Sequence, residues 1–195
     1  LENINQSESF DAHLDGKGFV LYGYSGAALF GTVRGTLENI GFAGFNITDS
    51  ESKAVGAVAE VLDDATVKNC FVIADVEANS NNQDVGILAG RAENGTLIEG
   101  CLTSGKVVSA NALAVGGIVG YADDTEIVNS ESTAYVCGGK AVGGIVGEAV
   151  NSAVTGTVFA NMAETSNGAA ANIAGKADNT QINNVYFDLS ASVSD

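Results

Sequence analysis

The stretch "VGGIVGYADDTEIVNS" from Val115 returns as "VGGIVGEAVNSAVTGT" from Val142. A self-similar period of roughly 20 to 50 residues marks a repeat architecture, in which each unit buries its apolar face only by stacking on its neighbours. Taking the last residue of the patch as an anchor, six units follow: "GAALFG" to Gly31, "GAVAE" to Glu60, "GILAG" to Gly90, "GGIVG" to Gly120 and again to Gly147, and "ANIAG" to Gly175. The steps are 29, 30, 30, 27 and 28 residues. Each patch is followed by a polar turn and a second short apolar element, such as "ATVKNC" or "TEIVNS".

Stacked unit on unit, the sequence becomes a set of columns. Leu29, Val58, Leu88, Ile118, Ile145 and Ile173 form a wholly aliphatic column, the mark of an inward face. Two residues earlier stand Ala27, Gly56, Gly86, Gly116, Gly143 and Ala171, all Gly or Ala, where another part of the chain must approach closely. The second element adds Leu37, Val67, Ile98, Ile127, Val154 and Ile182. Two residues beyond these come Asn39, Asn69, Gly100, Asn129, Gly156 and Asn184. Asn and Gly enter the left-handed region most cheaply, so the chain is expected to bend there in every unit, with stacked Asn side chains bonding along the column.

Short strands, sharp bends and a repeat of this length predict an all-β fold, a right-handed parallel β-helix (β-solenoid) of about six coils. A helical repeat would need apolar spacings of three and four sustained over a dozen residues, and glycine doublets with β-branched runs oppose it. One solenoid domain over residues 1–195 is expected, with a candidate N-terminal cap over 1–13, repeats over 14–188, and the whole a piece of a larger protein. Simple pleating turns Phe30, Ala59, Ala89, Val119, Val146 and Ala174 outward, although all are apolar. Either they pack under another segment or mark a binding face, or the core is irregular enough to bury them.

Composition narrows the function. The 195 residues carry a formal net charge of −16 with eight Lys and Arg, which leaves no basic face for nucleic acid or an anionic membrane. No apolar run approaches the roughly 18 residues needed to span a bilayer, so no membrane insertion is expected. The N-terminus "LENINQSESF" has neither the basic start nor the apolar run of a signal peptide, so the chain reads as a soluble piece. Cys70 and Cys101 share a column on adjacent coils, where parallel side-chain directions favour buried thiols over a disulfide, and Cys137 has no column partner. Compartment cannot be read from these three cysteines.

The two glycine-bracketed stretches resemble the GLUG motif, a short repeat of bacterial surface proteins that includes non-catalytic regions of immunoglobulin A peptidases. Residues 14–42 are similar to the opening coil that precedes such repeats. Glu60 departs from the pattern in place of the closing glycine, and Ala171-Asn172 in place of the doublet. The resemblance implies a secreted or surface-attached module, extracellular or on the cell surface, that spaces other domains of its chain or adheres to a host protein or glycan. Peptidase chemistry does not carry over, because its zinc site requires HExxH and the chain holds one histidine, His13.

The rival function is an enzyme acting on acidic polysaccharide, which needs converging carboxylates. Asp63, Asp64, Glu93, Asp123, Asp124 and Asp178 fall three or four positions after the anchor, but no cation accompanies this column in the sequence alignment of units, and anionic substrates would be repelled. Its plainer origin is a solvated turn, and no catalytic residue and no cofactor are assigned. As calcium-ligand candidates the column offers Asp63, Asp64, Glu93, Asp123 and Asp124, though without the spacing of calcium-binding β-rolls. Thr36, Thr66, Thr96, Thr125 and Thr180 form a single rank at these turns, expected to bond their own backbone rather than build a flat ice-binding face.

Overall fold

The computed structural model of the chain describes residues 9–78, 83–165 and 169–188. It is an all-β parallel solenoid; the described residues contain no helix. Each full coil runs through four sheets, with one strand in each except where its part of the third sheet is split in two, as at Glu131–Ser132 and Tyr135–Gly138. The first sheet stacks seven strands, among them Phe30–Val33, Ala59–Asp63, Ala89–Glu93, Val119–Asp123 and Val146–Val150. The second stacks seven more, including Thr36–Glu38, Thr66–Lys68 and Thr125–Val128. The third holds the longest strands, Gly41–Asp49, Phe71–Ala78 and Leu102–Ser109, and the fourth the shortest, such as Asp84–Gly86 and Ala114–Gly116. Of the residues expected as a cap, 1–8 lie outside the described residues, while Ser9–Phe10 and His13–Asp15 already pair as strands with the next coil.

The aliphatic columns are the core. In the second sheet Leu37, Val67, Ile98 and Ile127 stand in parallel register, each fully buried. Leu29, Val58, Leu88, Ile118 and Ile145 are fully buried as well, and Ile173 is nearly so. At about 25 cal/mol per Å² of apolar surface, every such side chain contributes roughly 1.5–3 kcal/mol, repeated from coil to coil. Ile182, in the last described rung, is 37% exposed.

The glycine-bracketed patch is not one strand. Its strand of the fourth sheet ends at Gly116, and the first sheet begins at Val119, with a corner at Gly117 and Ile118 between them. This corrects the period-two expectation that turned Phe30, Ala59, Ala89, Val119 and Val146 outward: all five are buried, and Ala174 packs partly buried against the core. A corner lets two consecutive residues point inward, and the irregular-core alternative is the one realised.

The same corner explains the glycines. A Cβ on Gly116 would run into the carbonyl of Val119 and stand 2.8 Å from the Gly147 nitrogen, and one on Gly120 would meet Val85 nitrogen and lie 2.7 Å from the Gly90 oxygen. The first and fourth sheets therefore close on each other backbone to backbone. The second glycine of the doublet serves a different neighbour: a Cβ on Gly117 would meet the hydroxyl of Ser132, and one on Gly144 the ring of Phe159, both buried side chains of the third sheet.

Candidate functional site

Two corners carry side chains that stack in ladders, and their backbone geometry comes from residue type. At the corner between second and third sheets, Asn39, Asn69, Gly100, Asn129, Gly156 and Asn184 all take positive φ, between 48° and 64°. The whole expected bend column is realised. Asn69 Nδ2 donates to Asn39 Oδ1 at 3.3 Å, and Asn39 Nδ2 donates to Asp15 Oδ1 at 3.1 Å. The ladder then stops, because Gly100 follows Asn69.

This corner is also a groove of about 470 Å³, lined by Asp15, Lys17, Gly18, Asn39, Ile40, Gly41, Asn69 and Phe71. Its floor is apolar: the Phe71 ring lies over Gly41, at the place where a Cβ would stand. One wall is the amide ladder, closed at its end by Asp15, whose carboxyl is held below the usual range by hydrogen bonds from the Lys17 backbone and the Asn39 side chain. Near the floor the surface carries apolar side chains, with Phe19 77% and Tyr22 80% exposed and Ile73 and Leu102 also at the surface, before the Asp75–Lys106 ion pair farther along the third sheet.

The corner between first and second sheets holds the acidic column. Asp64, Asn94, Asp124, Asn151 and Asn179 have positive φ here, a second bend column that the carboxylate pattern had masked. The side chains interlock: Asn94 Nδ2 donates to Asp63 Oδ1 at 2.8 Å, Asn151 Nδ2 to Asp123 Oδ1 at 3.2 Å, and Asn179 Nδ2 to Asn151 Oδ1 at 2.8 Å. Asp63 and Glu93 are rung neighbours. The expectation that no cation accompanies the column is overturned, since Arg34 reaches Asp63 at 2.7 Å and Arg91 reaches Glu93 at 3.9 Å. Bonds from Asn94 and Arg34 hold the Asp63 carboxyl below its ordinary range. Arg34 stands three residues after Gly31, in the same column position as Asp63, and Arg91 stands one residue after Gly90, so the cation at Arg34 was visible in the aligned units once the first unit was included.

Among the described residues no three His, Cys, Asp or Glu side chains group in a way that could hold a metal ion. Of the candidate calcium ligands, Asp63, Asp123 and Glu93 are engaged by the partners named above, while Asp64 and Asp124 are the bend residues. Asp178 is exposed in the last described coil. His13 is exposed and meets Glu38 at 2.6 Å.

Hydroxyls and thiols line the inside of both corners. Thr96, Thr125 and Thr180 donate to the backbone oxygens of Glu93, Asp123 and Asp178, as expected of threonines at turns. The five threonines do not form one rank, however: Thr66 pairs in register with Thr36 on one side and Leu97 on the other, and Thr96 instead accepts from the Ala65 nitrogen. The register slips by one residue because the third unit has one more residue in its turn, Gly95, than the units on either side. Cys70 and Cys101 are free, buried thiols in one column with Ser130, whose hydroxyl accepts from the Cys101 nitrogen at 3.1 Å. The contact with Cys70 and burial raise the Cys101 thiol far above its usual range. Cys137 is free and half-exposed.

A family model described as the GLUG motif matches residues 111–136, which span the corner at Gly116–Gly120 and the bend at Asn129. No curated protein matches the chain. No solved structure matches it either. No helix among the described residues is long and apolar enough to cross a membrane.

Proposed function

We propose that this chain is a structural and adhesive β-solenoid module of a secreted or cell-surface bacterial protein, of the kind in which GLUG repeats accompany other domains, the non-catalytic regions of immunoglobulin A peptidases among them. The observation that supports this reading most is the fate of the acidic column. Its carboxylates are spread along the stack and bound by neighbouring Asn and Arg side chains, one coil to the next, whereas hydrolysis or elimination on a polysaccharide needs two or more groups converging on one bond. A ladder of this sort stiffens the coil. A rigid stack in turn presents a long outer face, which suits adhesion or the spacing of other domains, through contacts with a host protein or glycan.

The test sets binding against turnover. Beads coated with the module are expected to adhere to host cells or extracellular matrix, and the module is expected to release no reducing ends from pectin or alginate and to cut no peptide, with or without calcium. Single alanines at Asp63, Asp64, Asp123 or Asp124 should each change adhesion by about 1 kcal/mol or less, as for turn groups outside a hot spot. Release of reducing ends that one of these substitutions abolishes would replace this reading with a polysaccharide-acting enzyme.

A further inference from the structure

We propose that the groove between the second and third sheets, floored by Gly41 and Phe71 and walled by Asp15, Asn39 and Asn69, is a binding site for a neutral oligosaccharide of pyranose sugars. The inference rests on the adhesive reading above and names its ligand class.

A pyranose ring has an apolar C–H face and a rim of hydroxyls, each both donor and acceptor. Its site needs a flat apolar surface on one side and in-plane groups of both kinds at the edge. Phe71 supplies the first: the end of its ring occupies the space over Gly41 that a side chain there would fill, the ring lines the groove, and the negative face of an aromatic ring attracts polarised C–H groups. The amide ladder supplies the second. Each Asn side chain has two N–H donors and two lone pairs on oxygen, and the ladder uses one donor from Asn69 and one from Asn39. Asn69 Oδ1 faces Gly100, which has no side chain to bond it. Asp15, held ionised by Lys17 and Asn39, adds an acceptor at the end of the wall.

Size and charge select among ligand classes. A groove of about 470 Å³ lies in the range of small-ligand clefts, roughly 300–1,000 Å³, whereas a stable protein partner covers about 800 Å² per side. Asp15 and Lys17 both line the groove and offset each other locally, so the selection rests on the net charge of −16, whose field repels uronates and phosphates and leaves neutral sugars unaffected. Asn39 and Asn69 sit one coil apart, so the amide edge runs along the stack, a direction that a linear chain of sugars can follow.

The probes are maltohexaose, cellohexaose and mannohexaose, titrated separately into isotope-labelled protein, with trigalacturonate as the anionic arm. At least one neutral hexasaccharide is expected to shift the backbone amide signals of Asn39, Gly41, Asn69 and Phe71, and to bind more tightly than trigalacturonate. Phe71→Leu and Asn69→Gly should each weaken that binding about tenfold or more while the melting temperature stays near that of the wild type. Asn69→Gly keeps the test open if Phe71→Leu folds poorly, because glycine accepts the positive φ of residue 69. Glu126→Gln, in a separate groove on the second sheet, should leave binding unchanged. Absence of shifts at the groove with all three sugars, tighter binding of trigalacturonate, or unchanged affinity in both groove variants overturns the proposal. Bead adhesion that survives Phe71→Leu and Asn69→Gly at full strength overturns it too and leaves the adhesive reading standing, whereas loss of adhesion in the unaltered module defeats that reading instead.

Discussion

A Cβ placed on Gly100 would stand 2.9 Å from Oδ1 of Asn69, the residue in the same column one coil before. Asn and Gly thus share this corner for two reasons at once. Both accept the left-handed backbone that the corner requires, and glycine leaves room for the amide beneath it. Gly156 stands over Asn129 in the same way.

The bend column gives the first expected outcome. Asn129→Gly keeps an allowed backbone at φ 48° and should cost only a few tenths of a kcal/mol beyond chain entropy. Asn129→Val places a β-branched side chain where φ is positive, and should cost about 1–2 kcal/mol more. Urea melts of the two variants measure the gap, and equal midpoints would contradict the assignment of this column to the left-handed region.

The corner glycines make a second comparison. Gly120→Ala puts a methyl group against the backbone of Val85 and Gly90, which cannot move aside as a flexible side chain could. A loss of about 3 kcal/mol or more is expected, at the upper end of overpacking costs. Gly18→Ala meets nothing within 4 Å and suffers only the strain of φ +82°, about 1 kcal/mol. Thermal melts in which Gly18→Ala is the more damaging of the two would overturn the view that the first and fourth sheets close on each other through glycine.

Columns were legible in the sequence wherever one physical demand recurs in every coil. Burial at Ile118 and left-handed backbone at Asn129 are demands of that kind, and both were readable from residue type alone. The second bend column was just as visible: Asp64, Asn94, Asp124, Asn151 and Asn179 all stand four residues after the anchor and are all Asp or Asn. Its acidity invited a chemical reading and hid the conformational one. The corner at Gly117 was harder, because a pattern of alternating apolar residues does not say where a strand ends, and without that corner Val119 points the wrong way. The groove was out of reach for another reason. Phe71 and Gly41 are 30 residues apart and meet only through register across coils, a pairing that depends on side-chain size at both positions.

Register also supports a prediction about the core. Ile118 is fully buried, and its nitrogen bonds to the Ile145 oxygen of the following coil at 2.8 Å. Ile118→Asp removes roughly 1.5–3 kcal/mol of burial and adds the desolvation of an unpaired carboxylate, several kcal/mol more. The variant is expected to lose its cooperative transition in circular dichroism. Near-wild-type melting would refute the column.

The last prediction concerns pH and Asp84. Its side chain is only 13% exposed; burial raises its carboxyl, the Arg91 guanidinium 3.5 Å away opposes the shift and the nearby Glu148 adds to it, leaving it raised from 3.8 to about 6. A carboxyl whose folded value lies above its unfolded value binds its proton more tightly in the native state, so its contribution is fully present below pH 4 and is lost as pH rises through about 6. The gap corresponds to at most about 3 kcal/mol at neutral pH. Asp84→Asn removes the need to ionise a buried group, and Arg91 keeps Glu93 and its position 4.7 Å above the Tyr121 ring. The variant should therefore melt several degrees above the wild type at pH 7.5, since for a chain of this length 1 kcal/mol moves the midpoint by roughly 2–4 °C. At pH 4 the two curves should coincide. A variant less stable than the wild type at pH 7.5 would mean that the Asp84–Arg91 attraction outweighs burial, and the direction of the shift assigned to Asp84 would have to be reversed.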